Sequence, residues 1–171
     1  MRHCQPSDSC ALLRPMIAYS IRPLRPSDEP VTSGIMRSLP EWFGHEGGLQ
    51  SCADAVRSGS GWAVEVDGEP VAFATWEERT SDTAEITWMA VHRSRRNTGI
   101  GTILIEAACD DLRTKGYRLA LAMTSASHKT PVPGPDVYDE TRAFWRRRGF
   151  YSLAELDIWD TDVALLMVRP L

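Results

Sequence analysis

Apolar and polar residues change period several times along the chain, and each change marks an element. Residues 19–23 read as a first strand. Ser27 and Asp28 then precede Glu29 and Pro30, the composition of a capped helix start, and predict a helix over about 28–38. Leu39, Pro40, Glu41, Trp42, Phe43 and Gly44 break that helix, and a second follows over about 49–57 until the Ser58, Gly59, Ser60, Gly61 cluster stops it. Residues 62–66 alternate as a strand, and Asp67 with Gly68 forms a strong hairpin signal, because both accept positive φ at low cost. Strands over about 70–77 and 83–91 continue an antiparallel meander. From 99 to 115 the spacing switches to three and four, with Ile100, Ile103, Leu104, Ala107, Ala108 and Leu112 on one helical face and Gly116 as the terminator. A short apolar strand over 118–124, a Pro-rich loop over 125–135, a helix over 136–148 ended by Gly149, and strands over about 154–158 and 163–169 complete the order. Nothing repeats, and no linker divides the pattern.

Length adds that 171 residues, 43% of them hydrophobic, suit a single core. Residues 1–17 show no clean period and are expected to be a disordered extension, leaving 18–171 as the domain. The 19 Lys and Arg against 23 Asp and Glu leave a net charge of -4, which offers no global attraction to nucleic acid or an anionic membrane. No apolar run approaches the roughly 20 residues that span a bilayer. The first 15 residues are broken by acidic and polar positions where a signal peptide needs an apolar stretch, so a cytoplasmic protein is expected. Cys4, Cys10, Cys52 and Cys109 share no metal-ligand spacing and read as reduced thiols.

The chemistry concentrates between the strand ending at Val91 and the helix that follows, in His92, Arg93, Ser94, Arg95, Arg96, Asn97, Thr98, Gly99, Ile100, Gly101 and Thr102. Two glycines at a helix start let a ligand approach the backbone, and the free N–H groups of a first helical turn favour a phosphate. Such a Gly-x-Gly also occurs in plain tight turns. Here, however, Arg96-x-x-Gly99-x-Gly101 follows a strand and opens an amphipathic helix, and it resembles the acyl-CoA motif Q/R-x-x-G-x-G/A of the GNAT superfamily of N-acetyltransferases. A second stretch, Thr141, Arg142, Ala143, Phe144, Trp145, Arg146, Arg147, Arg148, Gly149 and Phe150, is similar to the later motif of that family, in which a helix ends in F-Y-x-x-x-G-F.

The resemblance covers roughly residues 19–171 and implies an α/β fold of the α+β kind: a mixed, mostly antiparallel sheet of about seven strands flanked by about four helices. It further implies a V-shaped split between the fourth and fifth strands that takes acetyl-CoA as acyl donor. The main chain at Met89, Ala90 and Val91 would pair with the pantetheine arm, and the segment Arg96, Asn97, Thr98, Gly99, Ile100, Gly101, Thr102 would hold the pyrophosphate. No metal is required.

Attack on a thioester needs a neutral amine and a group that accepts its proton. Glu85, on a strand similar to the one carrying the base in the histone-modifying branch of the family, is the first candidate; the alternative is a solvated glutamate on the strand's polar side. Many relatives carry a tyrosine acid where this chain has Trp145, whose indole donates a hydrogen bond but is no practical proton source. Tyr138, about two turns earlier, is the replacement if the loop before it folds inward. His92 and His128 are possible proton relays or packing residues, and Glu77, Glu78 and Asp82 form an acidic hairpin that attracts an amine or merely stays solvated. Trp42, Phe43 and Trp88 are candidate walls for the acceptor, or else core, and His45 follows the same segment. Of Arg146, Arg147 and Arg148, at least two are expected to answer the helix dipole at the surface.

The expected activity is acetyl transfer from acetyl-CoA to the primary amine of a small molecule, by direct attack in a ternary complex. Acetylation of a protein N-terminus or lysine is a second possibility, and an acetyl-CoA-binding sensor module with little catalysis a third. A homodimer through the last strands is open, and neither nucleic acid nor membrane is an expected partner.

Overall fold

The computed structural model describes residues 18–131 and 134–171. The expected extension over 1–17, with Cys4 and Cys10, lies outside the described residues. Seven strands form one sheet in the order β1-β2-β3-β4-β5-β7-β6: β1 (Tyr19–Pro23), β2 (Gly61–Val66), β3 (Glu69–Thr80), β4 (Thr83–Val91), β5 (Leu119–His128), β6 (Tyr151–Leu156) and β7 (Asp162–Pro170). All pairings are antiparallel except β4 with β5.

Among the described residues five α-helices cover the sheet: α1 (Glu29–Arg37), α2 (Pro40–Phe43), α3 (Glu46–Arg57), α4 (Ile100–Thr114) and α5 (Tyr138–Arg147). The segment expected only to break the first helix makes α2, because Pro40 at its first turn fixes φ without losing a needed donor. Asp28, expected to cap α1, instead serves the turn before it: its carboxylate accepts from the Arg25 N–H at 2.8 Å and from Arg22 at 2.7 and 2.9 Å. The hairpin at Asp67 and Gly68 takes positive φ at both residues, 55° and 83°. Strand β5 runs to His128, so residues 125–128 of the expected Pro-rich loop are sheet, while β6 starts at Tyr151 and leaves Ile158 outside.

Two cores lie on opposite faces. Leu24, Ile35, Met36, Cys52 and Val56 pack α1 and α3 against Ala63, Phe73 and Ala90. On the other face Leu104, Ile105, Ala108 and Leu112 of α4, with Trp145 of α5 and Phe150, cover Ala74, Ile86, Ala122 and Met167. Cys52 and Cys109 are free and buried, and burial pushes their thiols up to about 12 and about 11.

One irregularity in β4 aims the side chains of the site. Thr75 of β3 stands opposite Trp88, yet its neighbour Trp76 stands opposite Ile86, so Thr87 is an extra residue in β4. Before the bulge Ala84 and Ile86 face α4; after it Met89 and Val91 do, because one inserted residue exchanges the faces. Glu85 and Trp88, three apart, therefore share the α1–α3 side.

Candidate active site

Strands β4 and β5 pair only from Thr83–Leu119 to Ile86–Ala122, although both continue for more than a turn of pleat beyond. Past that point they part, and the opening is a cleft of about 1140 Å³. This is the expected V between the fourth and fifth strands. Met89 and Val91 line it with their side chains, whereas the Ala90 methyl is buried among Phe73 and Ala63 and leaves only main chain to a ligand.

Arg95, Arg96, Asn97, Gly99, Gly101 and Thr102 line one end. Asn97 and Gly99 both take positive φ, 60° and 93°, which turns the chain tightly into α4. Ile103 donates back to the Gly99 carbonyl at 3.1 Å, so Ile100, Gly101 and Thr102 carry first-turn N–H groups with no intrahelical acceptor. A Cβ at Gly101 would sit 3.4 Å from the Phe144 ring and 3.5 Å from Val91, so any side chain there enters the cleft. Ile100 sends its side chain into the core, and Thr98 spends its hydroxyl on the Arg95 carbonyl at 2.6 Å; both bring only main chain to this end. A backbone cradle of this kind, ringed by guanidinium groups, fits the pyrophosphate of a CoA thioester.

Arg96 also stacks on Trp42, its Cζ 4.2 Å from the ring centroid, and lies 3.2 Å from Glu140. Arg93 turns outward to Ser38 and Glu41. At least two of Arg146, Arg147 and Arg148 were expected at the surface, yet Arg147 and Arg148 both line the cleft, because α5 presents its last turn to it.

At the narrow end Glu85 is 6% exposed. Its carboxylate accepts from Arg79 Nε at 2.6 Å, and Arg79 Nη1 lies 2.8 Å from Glu77, which stands directly opposite Glu85 across the hairpin. The solvated-glutamate alternative is thereby excluded. Two carboxylates against one guanidinium leave this corner one negative charge in excess, which suits a cationic amine. Arg79 is a residue the sequence reading missed. That reading ended β3 at Glu77, whereas the strand runs to Thr80; period-2 alternation carried two residues further would have set Glu77 and Arg79 on one face.

The rest of the acidic hairpin is used elsewhere: Glu78 accepts from the Tyr117 hydroxyl, and Asp82 from Thr80 and Thr83. Trp42, Phe43 and Trp88 all line the cleft, with Phe43 and Trp88 tilted at 6.4 Å between ring centroids. Trp42 Nε1 donates to the Val137 carbonyl at 3.2 Å, drawing α2 against the start of α5.

Tyr138 opens α5 inside the cleft, its hydroxyl 3.5 Å from the Trp42 carbonyl. Burial, then the charges of Asp162 and Asp136, raise its phenol above the ordinary value, so it stays protonated at neutral pH. The loop before it is held inward by Arg142, which bonds the Ser125 carbonyl at 2.8 Å and Asp136 at 2.5 Å. His128 bonds Asp162 at 2.6 Å and meets the Tyr138 ring edge-on, while His92 caps the turn at Ser94 and is not in the cleft wall. Trp145 packs edge-on against Phe150 at 4.8 Å between centroids. Thr124, Ser125 and Trp159 also line the cleft and carried no signal in the sequence, since their place depends on the parting of the strands. Among the described residues no group of three His, Cys, Asp or Glu is placed to hold a metal ion, and no helix is long and apolar enough to cross a membrane.

Solved structures share this architecture across 90% of the chain. A GNAT-family protein from Desulfovibrio desulfuricans superposes with a TM-score of 0.76 at 22% identity over 99% of its length. The ribosomal-protein-S18-alanine N-acetyltransferase from Escherichia coli gives 0.72 at 17% over 94%. A GNAT family acetyltransferase from Elizabethkingia anophelis with acetyl-CoA bound gives 0.67 at 15% over 98%. At these identities the likeness is one of fold. No curated protein sequence matches the chain significantly. The model of the Acetyltransferase (GNAT) family matches residues 29–150, a span that holds the parted strands, the turn at the head of α4 and the whole of α5, and the chain belongs to that family.

Proposed function

We propose that the chain transfers an acetyl group from acetyl-CoA to the primary amine of a small molecule, by direct attack in a ternary complex. The observation that carries this reading is the union, in one cleft, of a phosphate-type cradle at the head of α4 and the buried Glu85 at the other end, joined by the open main chain of β4. Acetyl-CoA would lie with its diphosphate against the N–H groups of residues 100–102 and the guanidinium groups of Arg95 and Arg96. A main-chain N–H at Ala90 or Val91 would polarise the thioester carbonyl. Glu85 accepts a proton from the incoming ammonium, directly or through water, and frees the nitrogen lone pair for attack.

The aromatic closure of the acceptor end supports a small acceptor. Trp42 reaches Val137 and Tyr138 reaches Trp42, so α2 and the start of α5 meet where an extended peptide would need an open groove. The CoA thioester found in the Elizabethkingia anophelis relative is consistent with the donor assigned here.

The test is a thiol-release assay of the full chain with acetyl-CoA, against aliphatic and aromatic primary amines and against peptides with free N-termini or lysines. Turnover with small amines is the expected result. Turnover confined to peptides would replace the acceptor class, and tight acetyl-CoA binding with no turnover on any amine would replace catalysis by sensing.

A further inference from the structure

Two neighbouring hydroxyls on β5 are left without partners. Thr124 is 5% exposed and Ser125 1%; both line the cleft, and neither side-chain oxygen has a hydrogen-bond partner among the described residues. A polar group shut away from bulk water with nothing bonded to it loses its hydration and gains nothing in return, so such groups are rare unless a ligand or an ordered water completes them.

Their place is specific. Ala122 is the last residue of β5 paired with β4, opposite Ile86, so 124 and 125 follow directly where the strands part. Allowing for the extra residue Thr87, they lie level with Met89 and Ala90 across the gap. That is the stretch of cleft between the cradle at α4 and the carboxylate of Glu85, where the reacting thioester must sit if acetyl transfer occurs.

The two hydroxyls face opposite sides, since successive side chains of a strand alternate. Thr124 pairs with Leu165 and continues the row of Ala120 and Ala122, which pack with Trp145 under α4 and α5. Ser125 pairs with Ala164 on the opposite face. On the α5 side the neighbouring cleft wall is apolar, built from Met89, Val91, Phe144 and the indole of Trp145. Thr124 is there the one buried hydroxyl still free to donate among the described residues. The Tyr138 hydroxyl is turned toward the Trp42 carbonyl at the acceptor end.

We propose that Thr124 is a catalytic residue whose hydroxyl donates a hydrogen bond to the thioester sulfur as it departs. The assignment rests on the acetyl-transfer reading above. The amine nitrogen forms its bond to the acetyl carbon, and the carbon–sulfur bond breaks with its electron pair on sulfur. Of the two protons an ammonium sheds in becoming an amide, one ends on that sulfur through water and one reaches solvent by way of Glu85. Thr124 keeps its own proton throughout; it stabilises the negative charge while it lasts, in a site where apolar walls make a single donor count.

The experiment titrates the thiol of CoA bound to the full chain, following the ultraviolet absorbance of the thiolate with pH, in the native protein and in Thr124→Val, Thr124→Ser, Ser125→Ala and Tyr138→Phe. Thr124→Val keeps the shape and removes the donor; it is expected to raise the bound thiol pKa by about one unit and to lower kcat about tenfold with KM for acetyl-CoA unchanged. Thr124→Ser should restore both, and Ser125→Ala and Tyr138→Phe should leave the thiol pKa where it is. An unfolding temperature equal to native shows that Thr124→Val is folded, and Thr124→Ala serves as the donor-free variant if it is not. An identical thiol pKa in native protein and a folded donor-free variant overturns the proposal, as does a rise seen only in Tyr138→Phe. Failure of the native chain to bind CoA at all overturns the acetyl-transfer reading itself, and the proposal with it.

Discussion

Glu85 illustrates how little a residue's type says without its surroundings. A glutamate on a strand is most often solvated, but here the residue is buried and held by a guanidinium, so its carboxylate has one fixed direction. If it accepts the amine proton, Glu85→Gln should lower kcat by a factor of about 10² to 10⁴ while the affinity for acetyl-CoA, measured by isothermal titration, stays within about twofold. Asp28 makes a different prediction. Arg22 donating to its carboxylate holds it below the ordinary value, so the folded state binds the proton less readily than the unfolded chain. Its stabilising contribution is therefore complete above about pH 4, the usual carboxylate value, and is lost as pH falls through the lowered folded value. Thermal unfolding followed between pH 7 and pH 2 should show that loss. Asp28→Asn should be less stable than the native chain at pH 7, by about 2 kcal/mol for a partly buried pair, and the gap should narrow in acid.

Among elements, the loop that turns from β4 into α4 was legible in the sequence because its course needs positive φ, and glycine writes backbone shape directly into composition. Gly99 sits at φ 93°, so replacing it adds strain to any steric effect. Gly101 gives the cleaner test, because its φ is ordinary and the space before it is bounded by Phe144 and Val91. Gly101→Leu should weaken acetyl-CoA binding more than 100-fold, roughly the loss of the cradle contacts, and circular dichroism should show the native fold retained. The bulge at Thr87 was not legible. An extra residue in a strand carries no local signature when its neighbours, Ile86, Thr87 and Trp88, all favour strands. It emerges only from pairing with β3, where Thr75 bonds the Thr87 hydroxyl at 2.8 Å. For the same reason the reach of β3 to Thr80 and of β5 from Ser125 to His128 was cut short by a reading that ends strands where polar residues begin.

At the scale of the molecule, one sheet with helices on both faces is opened from one edge of the V, and binding there should hold the two halves together. Acetyl-CoA at about 100 times its Kd should stabilise the fold by about 2.7 kcal/mol, a rise in unfolding temperature of about 5–10 °C for a domain of this size. The same scan with Gly101→Leu should show no rise; an equal rise in both would remove the cradle from the binding site. The sequence by itself determined the order of elements apart from α2, the tight glycine turn at the head of α4 and the family, since each rests on local rules: hydrophobic period, turn chemistry and the conformational freedom of glycine. Whether Glu85 was buried or solvated, that Arg79 holds it, that Tyr138 turns inward under the Arg142 clasp, and that two hydroxyls of β5 stand bare at the parting of the strands were decided only by tertiary structure. Those facts are relations between residues far apart in the chain, fixed by strand register, by one inserted residue and by the burial of polar groups, and none of these has a local trace in composition or spacing.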